Sequence, residues 1–374
     1  MPARDEAYMR AAFVQARRAL GQCSPNPAVG AVIVRQDETQ DVVIATGHTM
    51  PGGRPHAERK ALDQAGKGAE GATLYVTLEP CAHHGKTPPC VDAIIKSGIS
   101  RVVSSVADPD PRVAGKGVET LKRAGVETVE GCLESEGANI VRGHVLRVTQ
   151  KRPLIQLKLA VGSDGLVPQG KDGAPVWITG EEARAHGHLL RARADAILVG
   201  HGTVLADNPS LTCRLPGMGD RSPVRVVLAS ALELPVGSKL LKDIDEIPLW
   251  VAGAESAERA AEETLTQAGA EVLRLTNSAT SGLDIGELLA ALAERGITRL
   301  LVEGGPRVAA SFWNAGLADE LYIYQGCDSA GSDGIMPFTG VGLGEIENSV
   351  HYEKEATRAL GRDTLSVYRR KSES

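Results

Sequence analysis

Apolar and polar positions along the chain fall into an alternation of strand-like runs and helical patterns. From Asp5 to Leu20 the apolar residues Tyr8, Ala12, Phe13, Ala16, Ala19 and Leu20 recur at helical spacing with polar residues between them, which predicts an opening amphipathic helix. Short apolar runs then predict strands at 28–34, 42–48, 74–78 and 102–106, with helical patterns near 56–66, 90–97 and 115–124. Around Gly143 to Pro153 the pattern lapses into a basic stretch closed by proline, Arg147-Val148-Thr149-Gln150-Lys151-Arg152-Pro153, which suits a connector between domains. Beyond it the alternation restarts, with strands at 154–161, 196–199, 224–228, 249–251, 272–275, 300–302 and 321–324 and helices near 181–193, 256–268, 284–295 and 306–316. The pattern predicts an α/β protein of two domains, 1–147 and 148–374, with no internal repeat.

At 374 residues the chain is longer than one hydrophobic core usually supports, in keeping with that division. A net charge of -6 and only 3% aromatic residues give neither a basic field for nucleic acid nor many platforms for stacked bases. A small-molecule substrate is expected, and nucleic acid is not. No run of about 18 consecutive apolar residues marks a membrane span, and the opening Met1-Pro2-Ala3-Arg4-Asp5-Glu6 lacks an apolar signal core. The expectation is a cytoplasmic enzyme without a membrane partner. In that compartment the six cysteines, Cys23, Cys81, Cys90, Cys132, Cys213 and Cys327, point to ligands or buried thiols rather than to a disulfide framework.

The densest chemistry lies in His56-Ala57-Glu58 and in Pro80-Cys81, followed by Cys90 after eight intervening residues. Together these segments supply one imidazole and two thiols. Three protein ligands leave the fourth tetrahedral position of zinc for water, as in catalytic sites, and zinc lowers the pKa of bound water to about 7. His56 and Glu58 are two apart and do not share a helix flank, so they converge only over a helix end. Gly52-Gly53-Arg54-Pro55 is a breaker that would place His56 in the first turn of the following helix, with Glu58 reaching the water without ligating the metal. Glu58 is the candidate proton carrier, taking a proton from water and returning it to a leaving amine. Cys90 follows Pro88-Pro89 and opens a helical run, where thiolates are favoured. A lone His-x-Glu is common, but His-Ala-Glu followed about 20 residues on by Glu79-Pro80-Cys81 matches the zinc deaminase signature. His83 and His84 are competing ligands in the same loop.

On these motifs the chain resembles the bifunctional riboflavin-biosynthesis deaminase and reductase of bacteria. The resemblance runs over nearly the whole sequence: Ser24-Pro25-Asn26-Pro27-Ala28-Val29-Gly30, the metal segments just described, the loop His83-His84-Gly85-Lys86-Thr87-Pro88-Pro89, and Asp108-Pro109-Asp110-Pro111-Arg112-Val113-Ala114-Gly115-Lys116-Gly117. Nucleoside and tRNA deaminases usually have two residues between the cysteines, so the longer gap points to this branch. The resemblance implies a cytidine-deaminase-like α/β/α domain followed by a dihydrofolate-reductase-like α/β domain. It implies zinc at the first site, NADPH at the second, and homo-oligomers. The implied substrate is a diaminopyrimidinone carrying a phosphoribosylamino group, deaminated to a uracil whose ribosyl chain is then reduced to ribityl. Asn26 would hold the pyrimidine edge or shape the Pro25-Asn26-Pro27 turn, and His83 and Lys86 would meet substrate or its phosphate.

The second half carries the family's reductase marks in Lys158-Leu159-Ala160, Ser163-Asp164-Gly165, Trp177-Ile178-Thr179, the run Gly202 to Thr212, and Glu303-Gly304-Gly305-Pro306. No Gly-x-Gly-x-x-Gly follows its first strand, so the ordinary Rossmann reading fails. The resemblance implies cofactor contacts at Val161, Trp177, Thr203, Asp207, Gly304, Gly305 and Pro306, the last three opening a helix whose backbone amides can meet pyrophosphate. It implies substrate contacts at Arg191, Leu211, Arg214 and Glu303, the two arginines serving a phosphate. Two departures stand out: Pro175 where the family often has serine, and Gly162-Ser163-Asp164 where it has Ser-Leu-Asp, which removes a hydroxyl that Ser163 could replace. A nucleobase or tRNA deaminase with an unrelated second domain, and a zinc-stabilised binding protein without catalysis, are the competing readings.

Overall fold

A computed structural model describes residues 3–36, 40–83, 85, 87–110, 114–169, 176–278 and 282–371. The chain divides into two compact units, Met1–Pro153 with Ala293–Thr298, and Leu154–Leu292 with Arg299–Ser374.

The first unit runs α1 (Ala3–Ala19), β1 (Gly30–Gln36), β2 (Asp41–His48), α2 (Ala57–Ala65), β3 (Thr73–Leu78), α3 (Cys90–Lys96), β4 (Arg101–Val106), α4 (Lys116–Arg123), β5 (Glu127–Val129) and α5 (Glu134–Gln150). Its sheet has the order β2-β1-β3-β4-β5, with β1 antiparallel to both neighbours and the β3-β4-β5 side parallel. Period-two alternation sends successive side chains of β1 to opposite faces. Ala31 and Ile33 join the core under α2 and α3 with Ala57, Ala61, Val91 and Ile94, whereas Val32 and Val34 pack with Met9, Phe13 and Ala16 of α1 and Ile140 of α5. The result is an α/β/α sandwich. α1 rides so close on β1 that a Cβ on Gly30 would stand 2.0 Å from the Ala12 carbonyl oxygen, so only glycine fits there.

The stretch expected as a connector is helical: α5 continues to Gln150, and the chain leaves it through Lys151 in the left-handed region and Pro153. Its last turns lack glycine and proline, and Ile140, Val141 and Leu146 bury one flank, so basic composition did not break the helix.

The second unit runs β6 (Leu154–Val161), α6 (Glu181–Arg193), β7 (Ala196–Gly200), α7 (His201–Asp207), β8 (Val224–Leu228), β9 (Leu249–Ala254), α8 (Arg259–Gln267), β10 (Glu271–Leu275), α9 (Ile285–Glu294), β11 (Arg299–Val302), α10 (Pro306–Asn314), β12 (Glu320–Gln325), α11 (Leu343–Glu347), β13 (Tyr352–Leu360) and β14 (Asp363–Arg370). Its sheet has the order β10-β9-β8-β7-β11-β6-β12-β14-β13, parallel except for the pairings of β14 with β12 and β13. β7 and β11 are buried along their whole length, as parallel strands covered on both faces must be. The β13–β14 hairpin was not expected from the sequence, because β13 alternates few apolar residues and is mostly exposed at the sheet edge. Among the described residues no helix is long and apolar enough to cross a membrane.

Candidate active sites

In the first unit β3 ends in a loop that carries Cys81, and the chain returns to start α3 at Cys90. His56 is the residue that caps α2, one position earlier than expected, with extended backbone (φ -66°, ψ 160°). Glu58 sits in the first turn of α2 and is buried. Two helix starts and one strand-end loop therefore meet at one point, where helix dipoles favour anionic thiolates.

His56 Nδ1 lies 3.7 Å from Cys81 Sγ and 3.4 Å from Cys90 Sγ, and all three ligand atoms are within 4.8 Å of one another. Tetrahedral zinc with ordinary bond lengths would separate a nitrogen and a sulfur ligand by about 3.6 Å, so the donor set fits the ion. The Cys90 backbone amide donates to Cys81 Sγ at 3.3 Å. Contact with Cys90 and with His56 holds the Cys81 thiol well below its usual range, at about 4, while Cys81 and burial push Cys90 well up. Burial raises the Glu58 carboxyl against the opposing pull of His56, which suits a group that must carry a proton.

The other expected residues of this site are placed as follows. The Asn26 side-chain amide donates to the Gly53 carbonyl at 2.8 Å and lies 3.1 Å from His56 Nε2, so it touches the loop and the imidazole that face the metal. His83 is half-buried, and its Nδ1 is buried without a hydrogen-bond partner among the described residues. Lys86 and His84 lie outside the described residues.

Two residues to which the sequence reading gave no role stand beside the site. The buried Glu79 carboxylate accepts from the backbone amides of Gly117 (2.9 Å), Gly115 (3.0 Å), Asp108 (3.4 Å) and Val118 (3.4 Å), tying the 108–118 loop to the segment that leads into Cys81. Its only sequence signal was membership in the Glu-Pro-Cys motif. Arg54 donates through Nη1 to the Thr87 hydroxyl, joining the His56 loop to the loop between the cysteines.

In the second unit a cavity of about 1810 Å³ opens at the carboxyl ends of the parallel strands, where ligands of such sheets bind. Trp177, Thr203, Asp207, Leu211, Arg214, Glu303, Gly304, Gly305 and Pro306 all line it, as does Arg191. Val161 is not among the lining residues; it is buried at the end of β6, and its carbonyl accepts from Gly326. Pro175 lies outside the described residues, and Ser163 donates its backbone amide to the Asp328 carbonyl at 3.0 Å.

The two glycines before α10 differ. A Cβ on Gly304 would strike Val308 at 2.6 Å, whereas one on Gly305 would meet only Thr203 Oγ1 at 3.6 Å, an ordinary contact. Packing explains Gly304. Gly305, whose amide donates to Thr203 Oγ1 at 3.2 Å at the start of α10, leaves room beside its backbone.

Arg191 grips Glu303 with two parallel bonds of 3.0 and 2.9 Å and gives a third nitrogen to the Thr212 carbonyl at 3.1 Å. All three of its nitrogens therefore already donate within the protein. Burial pushes the Glu303 carboxyl up, but Arg191 and Lys158 outweigh it and hold it at about 2. His188, one turn before Arg191 on α6, is kept neutral by burial and by Arg191 and Arg214, with its pKa at about 4. Arg184, His188 and Arg191 recur at helical spacing and all line the cavity, a stripe on α6 of which reading by motif named only Arg191. Burial and Arg191 both oppose the charge of Arg214, so an anion beside it would be welcome. The exposed Trp177 ring carries the Arg184 guanidinium 5.2 Å from its centre.

Comparison with known proteins gives two family models, one after the other along the chain: the cytidine and deoxycytidylate deaminase zinc-binding region over residues 2–106 and the RibD C-terminal domain over residues 153–366. The riboflavin biosynthesis protein RibD of Aquifex aeolicus (strain VF5) is 40% identical over 98% of this chain and 98% of its own length. That of Escherichia coli (strain K12) is 37% identical over 96% and 97%. Among solved structures, RibD of Acinetobacter baumannii (form 1) superposes with a TM-score of 0.84 at 32% identity, covering 98% of this chain and 99% of that one. The diaminohydroxyphosphoribosylaminopyrimidine deaminase/5-amino-6-(5-phosphoribosylamino)uracil reductase of Thermotoga maritima does so with a TM-score of 0.82 at 36% identity and the same coverage.

Proposed function

The chain belongs to the RibD family of riboflavin biosynthesis proteins, enzymes that join a deamination to a reduction, and from that premise we propose the substrates and the residues that act on them. The first unit removes the 2-amino group of 2,5-diamino-6-(5-phosphoribosylamino)pyrimidin-4(3H)-one as ammonia. The second reduces the ribosyl chain of the resulting 5-amino-6-(5-phosphoribosylamino)uracil to the ribityl chain. Zinc serves the first step and NADPH the second. The observation that carries the reading is the meeting of His56, Cys81 and Cys90 beside a buried Glu58.

His56, Cys81 and Cys90 hold the zinc, which when bound polarises water and makes it a nucleophile at neutral pH. Glu58 takes the proton of the attacking water and delivers it to the departing amine, so one carboxyl serves both halves of the substitution. Asn26 orients the pyrimidine, and His83 and Lys86, from the loop between the cysteines, meet the substrate or its phosphate. In the second unit Gly304, Gly305 and Pro306 lead into α10 beside Thr203, and the backbone amides of the first turn of that helix receive the NADPH pyrophosphate. Asp207 and Trp177 border the same cofactor, which supplies the hydride when bound. Arg214 holds the phosphate of the uracil, beside Leu211. Glu303 meets the uracil or its ribosyl chain and is itself aimed by Arg191. The enzyme works in the cytoplasm on small molecules.

Metal analysis tests the first assignment. The whole chain should carry one zinc, and Cys90→Ala should lose both the zinc and the deamination while still reducing the deaminated uracil. Full zinc and full deamination in Cys90→Ala would overturn the ligand set.

A further inference from the structure

Arg54 stands two residues before His56, on the loop that delivers the imidazole, and its Nη1 reaches across to the Thr87 hydroxyl, three residues before Cys90. The guanidinium therefore lies over the segment that connects the two cysteines. Its Nη2 comes within 3.4 Å of the position a Cβ on Gly85 would take, and His83 Nε2 within 3.8 Å of the same position. Among the described residues Arg54 is bonded only to Thr87 through Nη1, so its Nε and Nη2 have no partner there, and His83 keeps a buried Nδ1 without one.

We propose that Arg54 is a specificity residue of the deaminase, binding the 5'-phosphate of the substrate at the mouth of the metal site. The proposal rests on the reading of the first unit as a deaminase of a phosphoribosyl pyrimidine. A guanidinium anchored at one nitrogen keeps its remaining donors in a fixed fork, the geometry that suits phosphate oxygens, and loses little freedom when the ligand arrives. Thr87 is the anchor, and the neighbouring His83 imidazole can take a further oxygen. In a chain of net charge -6 such a placement of an arginine also favours the approach of an anion to this mouth.

The test compares the phosphorylated diaminopyrimidine with its dephosphorylated ribosyl counterpart on the whole enzyme and on Arg54→Gln. Losing a charged hydrogen bond to phosphate should raise KM for the phosphorylated substrate about tenfold to a hundredfold with kcat nearly unchanged. KM for the dephosphorylated substrate should stay the same, and so should zinc content. Inorganic phosphate should inhibit the wild type competitively, and Arg54→Gln at least about tenfold more weakly. Arg54→Lys should recover part of the loss. An unchanged KM for the phosphorylated substrate, or an equal rise for both substrates, would overturn the proposal, the latter marking a purely structural role. If the wild type itself deaminated neither substrate, the parent reading of the unit would fail instead.

Discussion

The metal site of the first unit takes three ligand atoms and a buried carboxyl from two helix starts and a strand-end loop, and each has a single partner set. The cleft of the second unit gathers its residues from several loops and one face of α6, and its strongest charges, Arg191 and Glu303, already satisfy each other. In the first site function hangs on individual atoms with no substitute. In the second, binding is spread over many contacts, so single changes should grade activity or stability rather than abolish it.

The sharpest way to break this contrast is at Glu58. Replacing it with Gln keeps the size of the side chain while removing the proton carrier, so kcat for deamination should fall by about 10² to 10⁴ with zinc retained. A drop of less than tenfold, measured by ammonia release, would mean that another group moves the proton.

The Arg191–Glu303 pair comes next. Removing one partner of a buried ion pair typically costs about 3 to 5 kcal/mol, because the other charge stays buried and alone. Arg191→Leu should therefore lower the melting temperature of the second unit while leaving zinc binding intact. The pair also sets a pH dependence. Because the folded Glu303 carboxyl titrates at about 2, below its ordinary value of 4.5, its stabilisation is full above about pH 4.5 and is lost as pH falls toward 2. Thermal melts between those limits should fall more steeply for the wild type than for Glu303→Gln. Parallel curves would show that the carboxyl does not contribute.

Contacts to ligands in the cleft should give smaller effects. Arg214→Ala should raise KM for the phosphorylated uracil about tenfold to a hundredfold at nearly constant kcat. A change confined to NADPH would instead assign the residue to the cofactor. In Gly305→Leu the added Cβ makes only an ordinary contact with Thr203 Oγ1 at 3.6 Å, so the fold should hold while KM for NADPH rises, by roughly tenfold if one good contact is lost. Gly304→Leu, which would strike Val308, should destabilise the unit itself and so separate packing from binding.

The same contrast explains how much was legible in the sequence. The cluster of His56, Cys81 and Cys90 beside Glu58 was legible because its signals are local: His56 and Glu58 share one helix start, and Cys90 opens another after two prolines. The strands were readable because β3, β7 and β11 are short, wholly buried stretches in which apolar residues dominate. What escaped depends on distance in the chain. Glu79 works by accepting from amides 29 to 39 positions away, which no local pattern encodes. Arg191 matched a phosphate position, yet its guanidinium is engaged by Glu303, 112 residues later. The stretch 143–153 was read as a connector from its basic, proline-ended composition, although most of it is the end of α5, whose apolar flank is buried by packing that composition does not register. The hairpin of β13 and β14 stayed hidden because an exposed edge strand has no apolar face to advertise.

The central claim is that one chain holds two separate sites acting in sequence, and the most direct measurement follows ammonia and NADPH together in full-length Glu58→Gln. Given the diaminopyrimidine and NADPH, this variant should release ammonia and oxidise NADPH at no more than about one hundredth of the wild-type rate. Adding the deaminated uracil to the same sample should start NADPH oxidation at the wild-type rate. Oxidation of NADPH with the diaminopyrimidine that outruns the release of ammonia, or no oxidation after the uracil is added, would contradict the account.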